Sequence, residues 1–97
     1  MIISEIDKLC NFIEHFNENY KLEYNIEQKR IKGRLLLKEK VIYSFWYSED
    51  NEKLYDDIII NDYNINSSKL KLKKDKFHLY LKNKIFQVLG IDEFNFI

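Results

Sequence analysis

The sequence predicts an α+β fold: an N-terminal helix, a four- to five-stranded antiparallel meander, and a C-terminal helix, arranged as a two-layer sandwich with the helices on one face of the sheet. Three observations predict it. Apolar residues recur at helical spacing near the N-terminus and again after residue 76. Between these segments the apolar repeat falls to two. The connections are short, which favours antiparallel pairing of neighbours. Residues 1–97 then make a single domain, within the usual range of about 50–250 residues.

The elements follow in order. Residues 4–20 have the spacing of an amphipathic helix, with Ile6, Leu9, Cys10, Ile13, Phe16 and Tyr20 on its stripe and Phe12 widening it. Ser4 fits an N-cap, and Glu5 and Asp7 suit the positive end of the helix dipole. From Lys21 the period is two: Leu22, Tyr24 and Ile26 face one way, Glu23, Asn25 and Glu27 the other. A second alternation carries Ile31, Gly33, Leu35 and Leu37. Lys38-Glu39-Lys40 reads as a turn into a strand at 41–48, where Tyr43, Phe45 and Tyr47 share one face and Ile42 and Trp46 the other. Apolar residues on both faces predict a strand covered twice, or one face left sticky. Glu49-Asp50-Asn51-Glu52 is a polar turn, and 54–60 is the return strand. Turn chemistry makes 61–68 a loop. Lys69 to Lys73 alternate Lys and Leu, as an edge strand does. Asp75 fits an N-cap for a helix through Leu89 that stops at Gly90. The rival reading makes 77–81 a strand. Phe94, Phe96 and Ile97 make the last residues apolar enough to dock on the core or pair as a last strand.

Composition bounds the chemistry. Ile, Lys, Asn, Tyr and Phe supply 52 of 97 residues, while Ala, Pro and Thr are absent. The abundant residues have A- and T-rich codons, which points to an AT-rich genome such as that of a low-GC bacterium, its phages or its plasmids. Without Ala, the core must be built from large side chains, and aromatics bury roughly 150–250 Å² each. No apolar run approaches the ~18 residues of a membrane span, and the N-terminus lacks the pattern of a signal peptide. The expectation is a soluble, cytoplasmic protein without membrane contact.

Catalytic signatures are scarce. Two glycines, Gly33 and Gly90, leave no room for a phosphate-binding loop. Cys10 and His15 sit about 140° apart on a helix, too far round for a nucleophile pair. Two isolated histidines, His15 and His78, make no metal motif. No enzyme activity, cofactor or metal is expected.

Charge is sorted. The net charge is zero, yet 1–28 hold six acids against two bases and 29–40 six bases against one acid. Residues 41–68 hold six acids against one base, and 69–84 seven bases against one acid. The bland outcome is cross-strand pairing. The functional outcome is two opposed patches. The acidic one comprises Glu49, Asp50, Glu52, Asp56 and Asp57 beside Trp46. The basic one comprises Arg30, Lys32, Arg34, Lys71, Lys73, Lys74 and Lys76.

These features point first to a small non-catalytic protein-binding module. A low-GC phage or mobile element is a plausible source, and inhibition of a host enzyme or defence complex, as by anti-CRISPR proteins, a plausible role. There the acids would substitute for nucleic-acid phosphates, or the basic patch would engage an acidic partner. The alternative is nucleic-acid binding. The helix–three-strand–helix order resembles double-stranded-RNA-binding domains, which place a lysine cluster at the start of the second helix; Lys73, Lys74 and Lys76 occupy that place. Glu27-Gln28-Lys29 matches a Glu-x-Lys pattern and resembles metal-dependent nucleases, but residues 30–38 lack the acid that family also uses. A homodimer through the apolar face around 43–47 or through the C-terminal tail is a further expectation.

Overall fold

Asn17 ends the first helix before its apolar stripe runs out. In the computed structural model, which describes residues 2–91, α1 spans Ile2–Phe16. The Asn17 side chain accepts from the Asn19 N–H at 2.9 Å, and its carbonyl accepts from the Tyr20 N–H at 3.1 Å. That local turn competes with helix propagation. Tyr20 therefore starts a strand instead of ending the helix. Ser4 lies inside α1 rather than capping it.

Five strands follow: β1 Tyr20–Glu27, β2 Arg30–Leu37, β3 Lys40–Ser48, β4 Lys53–Ile60 and β5 Tyr63–Lys71. They form one open sheet in the order β1-β2-β3-β4-β5, every neighbour antiparallel. Three connections are two-residue turns with both residues at positive φ: Gln28-Lys29, Lys38-Glu39 and Asn61-Asp62. This is the turn geometry whose twist matches a hairpin.

β5 corrects the expected loop at 61–68. Two things hide the strand. Its composition is Asn- and Ser-rich, and a bulge breaks its alternation: Ile58 pairs Asn66 while Ile59 pairs Asn64, leaving Ile65 extra. Pairing with β4 overrides the local preference.

α2 spans Lys74–Leu89, so the helical reading of 77–81 holds. Its N-cap is Lys73, without a side-chain cap, and Asp75 falls in the first turn. Gly90, at φ 72°, closes the far end: its N–H reaches Gln87 O at 3.2 Å and the Ile91 N–H reaches Phe86 O at 2.9 Å. This is a Schellman motif, which uses glycine for its left-handed residue. The expectation for Phe94, Phe96 and Ile97 lies outside the described residues.

Both helices pack on one face of the sheet. The core there holds Ile6, Leu9 and Ile13 of α1, Leu22, Ile31, Leu35, Tyr43, Phe45, Tyr47 and Leu54 of the sheet, and Phe77, Leu81, Ile85 and Phe86 of α2. Tyr47 stacks on Phe77 with ring centroids 4.2 Å apart. Because this face is covered, the row Tyr43, Phe45 and Tyr47 is not available for self-association. The apolar surplus on both faces of β3 resolves into one covered face and one left open. Among the described residues no helix is long and apolar enough to cross a membrane.

Candidate functional site

Strand register assembles the open face into four rows across the sheet. The first runs Glu27, Arg30, Ser48, Lys53, Lys71, and the second Asn25, Lys32, Trp46, Tyr55, Lys69. The third runs Glu23, Arg34, Ser44, Asp57, Ser67. The fourth, beyond the β3 and β5 bulges, includes Leu36 and Ile59 with Ile42 between them in strand order. The face thus divides into a basic and aromatic half, an acid–base row, and an aliphatic half.

The first two rows make the most coherent chemical surface. Trp46 and Tyr55 are direct cross-strand partners with ring centroids 5.2 Å apart. The Arg30 guanidinium lies 5.6 Å from the Trp46 ring centre, and the Lys69 ammonium 5.5 Å from that of Tyr55. Lys32 flanks Trp46 on β2, and Lys53 and Lys71 oppose each other on β4 and β5. Among the described residues, none of these five cations makes an ion pair. They span three strand spacings, roughly 14 Å.

The polar groups of the third row are engaged within it. Arg34 Nε donates to Glu23 Oε2 at 2.9 Å and holds that carboxyl below the usual carboxylate range. Ser67 Oγ donates to Asp57 Oδ1. Of the basic residues expected from the sequence, Arg30, Lys32, Arg34 and Lys71 share this face. Lys73, Lys74 and Lys76 stand at the start of α2, which follows β5 at the basic end of the sheet.

The acidic patch does not assemble. Asp56 points inward and is 5% exposed, accepting from Tyr43 Oη at 2.8 Å and Tyr80 Oη at 3.1 Å. It is a core hydrogen-bond acceptor and not a surface group, because strand alternation puts it opposite Asp57. Glu49 pairs with Lys74 at 3.6 Å and Asp50 with Lys29 at 3.5 Å. Glu52, also in that turn, has its backbone carbonyl engaged by the Leu72 N–H. Trp46 lies with the cations of its own rows.

Sequence reading missed Tyr55, Lys53 and Lys69 as members of the face. The signal was present: a turn over 49–52 pairs residues equidistant from its centre, which sets Tyr55 opposite Trp46 and Lys53 opposite Ser48.

No protein-family model matches the chain, and no curated protein or solved structure is similar to it.

The thiol and one imidazole of α1 are both engaged locally. The Cys10 thiol donates to Leu22 O at 3.6 Å, and burial, with Asp7 and Glu14 nearby, pushes it up to about 11. His15 bonds the Asn11 carbonyl through Nδ1 at 2.7 Å on the exposed side of α1. Among the described residues, no three His, Cys, Asp or Glu side chains gather as a metal site.

Proposed function

We propose that the protein is a nucleic-acid-binding module that holds an RNA or DNA strand on the basic and aromatic half of its open sheet. One observation carries this reading: the adjacent rings of Trp46 and Tyr55 lie within a cluster of five cations that have no ion-pair partner among the described residues. Bases stack on aromatic rings while cations track phosphates, the combination used by proteins that bind single strands. Net neutrality does not oppose it, because phosphate contacts depend on local charge. The lysine cluster at the start of α2 extends the same basic end.

Trp46 is the only tryptophan, so its fluorescence reports directly on the site. Titration with a decathymidylate or decauridylate should quench it and saturate. Trp46→Ala and Tyr55→Ala, followed by fluorescence anisotropy of a labelled strand, should each weaken binding by roughly 1–3 kcal/mol, the usual contribution of base stacking. Failure to bind either oligonucleotide at low salt would sink the reading.

A second reading, a protein-binding module, is favoured by a different observation. Ile60, Tyr63 and Ile65 are 52%, 75% and 58% exposed at the β4–β5 end of the sheet. An inhibitor of a host enzyme or defence complex would engage its target through that end, and not through the acidic turn. Tyr63→Asp should then abolish target inhibition while leaving oligonucleotide binding intact.

A further inference from the structure

The sheet splits at the end opposite its basic half. The β3–β4 ladder starts at Tyr43↔Ile58, yet β2–β3 pairing continues to Leu37↔Lys40 and β4–β5 pairing continues to Ile60↔Tyr63. Lys40, Val41, Ile59 and Ile60 are therefore laddered on one side only, and Ile42, the extra residue of the β2–β3 bulge, on neither. A bulge interrupts each outer ladder near this level, between Leu35 and Leu36 and between Ile58 and Ile59. Bulges bend strands and end pairing, and they recur beside functional sites. Between the parted hairpins lies a cavity of about 510 Å³, lined by Val41, Ile42, Ile59, Ile60, Ile65 and Val88 among others. That volume is within the usual range of ligand sites, about 300–1,000 Å³.

We propose that this cleft binds an extended aliphatic peptide segment of a partner protein, bearing an acidic residue at one end, which enters between β3 and β4 as a short added strand. Two features select this occupant. The lips present strand edges that lack their ladder, so a peptide backbone can supply hydrogen bonds that a hydrocarbon cannot. Lys40, on the β3 lip, has no ion-pair partner among the described residues and is left for an acid. Asp62, on the other lip, disfavours a second acid there. Proteins blunt exposed edges with lysine or proline; here Lys40 stands at the end of one lip, while Val41-Ile42 and Ile59-Ile60 carry neither. The site is separate from the basic half, and this proposal does not rest on nucleic-acid binding.

The test uses the full chain, isotope-labelled, titrated with acetyl-Val-Ile-Val-Glu-amide and followed by amide NMR. Saturable shifts are expected at Val41, Ile42 and Ile59. The same peptide N-methylated along its backbone, and the variant ending in Lys, should bind at least tenfold more weakly. Lys40→Glu, a surface change, should reverse the preference between the Glu and Lys peptides. Ile59→Lys, checked for a dispersed amide spectrum, should abolish binding. Absence of saturable shifts overturns the proposal. Equal binding of the N-methylated peptide overturns it too, since the site would then be a greasy groove with no strand pairing. Shifts at the same amides that follow protein concentration alone would assign the cleft to a second copy of this chain and equally contradict it.

Discussion

A β-carbon at Gly33 would clash with Cζ of Phe45 and stand 3.0 Å from the Glu23 carbonyl oxygen. The Phe45 ring lies across the β2 backbone and is held there by Tyr43 and Phe77, with ring centroids 6.1 and 5.9 Å away. It has little room to withdraw, so Gly33→Ala should cost about 1–3 kcal/mol in denaturant unfolding, the usual range for overpacking. Adding Phe45→Leu should recover part of that loss, because the two positions are in contact. Alternation alone puts both residues on the covered face, but contact between them depends on register, which the sequence does not state. Asp56 teaches the same lesson. Its neighbour Asp57 is an equally good surface acid by composition, and only strand parity separates the buried acceptor from the exposed one. Tyr43→Phe removes one of the two hydroxyls bonded to Asp56 and should destabilise by about 1–3 kcal/mol. Four tyrosines also set the alkaline limit. Burial pushes Tyr47 and Tyr80 up to about 12, and burial beside Asp56 raises Tyr43 further. A hydrogen bond to Asp7 raises Tyr24 to about 12. In the unfolded chain these phenols ionise near 10, while the folded chain keeps its protons. Above pH 10 the unfolded state therefore binds fewer protons, and stability falls with rising pH through about 12. Denaturant midpoints measured between pH 8 and 12 should show that decline beginning near 10.

At the scale of elements, the turns carry strain that the sequence did little to announce. Gln28, Lys29, Lys38 and Glu39 all adopt positive φ without being glycine or asparagine. The left-handed region costs such residues roughly 1–2 kcal/mol each. Replacing Gln28-Lys29 by Asn-Gly should therefore raise stability by about 0.5–1 kcal/mol, read as a higher thermal midpoint. The start of α2 is similarly unoptimised, since Lys73 offers no side-chain acceptor to the first helical N–H groups. Lys73→Ser should stabilise by about 0.5–1 kcal/mol. If the lysine cluster contacts phosphate, the same substitution should weaken oligonucleotide binding while stabilising the fold. Most elements were legible from periodicity, including α2 and its glycine stop. β5 was not, because the bulge at Ile65 breaks its alternation and its Asn and Ser content mimics a loop. The end of α1 was also hidden, since Tyr20 fits the helical stripe and the strand equally well. Its ring remains near Phe16, 6.1 Å between centroids.

For the whole molecule, zero net charge conceals an uneven distribution of charge across one face of the sheet. The charge blocks and their strand parity were readable in the sequence, and strand register places Arg30, Lys32, Arg34 and Lys71 on one face, though not Lys73, Lys74 and Lys76. The interleaving of Trp46 and Tyr55 among those cations was not, because it needs three registers at once. Nor was the split between the two hairpins, which no local pattern marks. Some opposite charges do cancel in pairs, as Glu23 with Arg34 and Glu49 with Lys74, but exposed pairs contribute little to stability. The unpaired cations of the first two rows are what remains, and they define the central claim. The most direct measurement is the salt dependence of single-strand binding for the wild type and for Lys32→Glu with Lys69→Glu. Contact between the five cations and phosphates predicts a log–log slope of about −3.5, from about −0.7 per contact. The double reversal should flatten the slope and weaken binding steeply. A wild-type slope near zero, or a double variant that binds as the wild type does, would contradict the account.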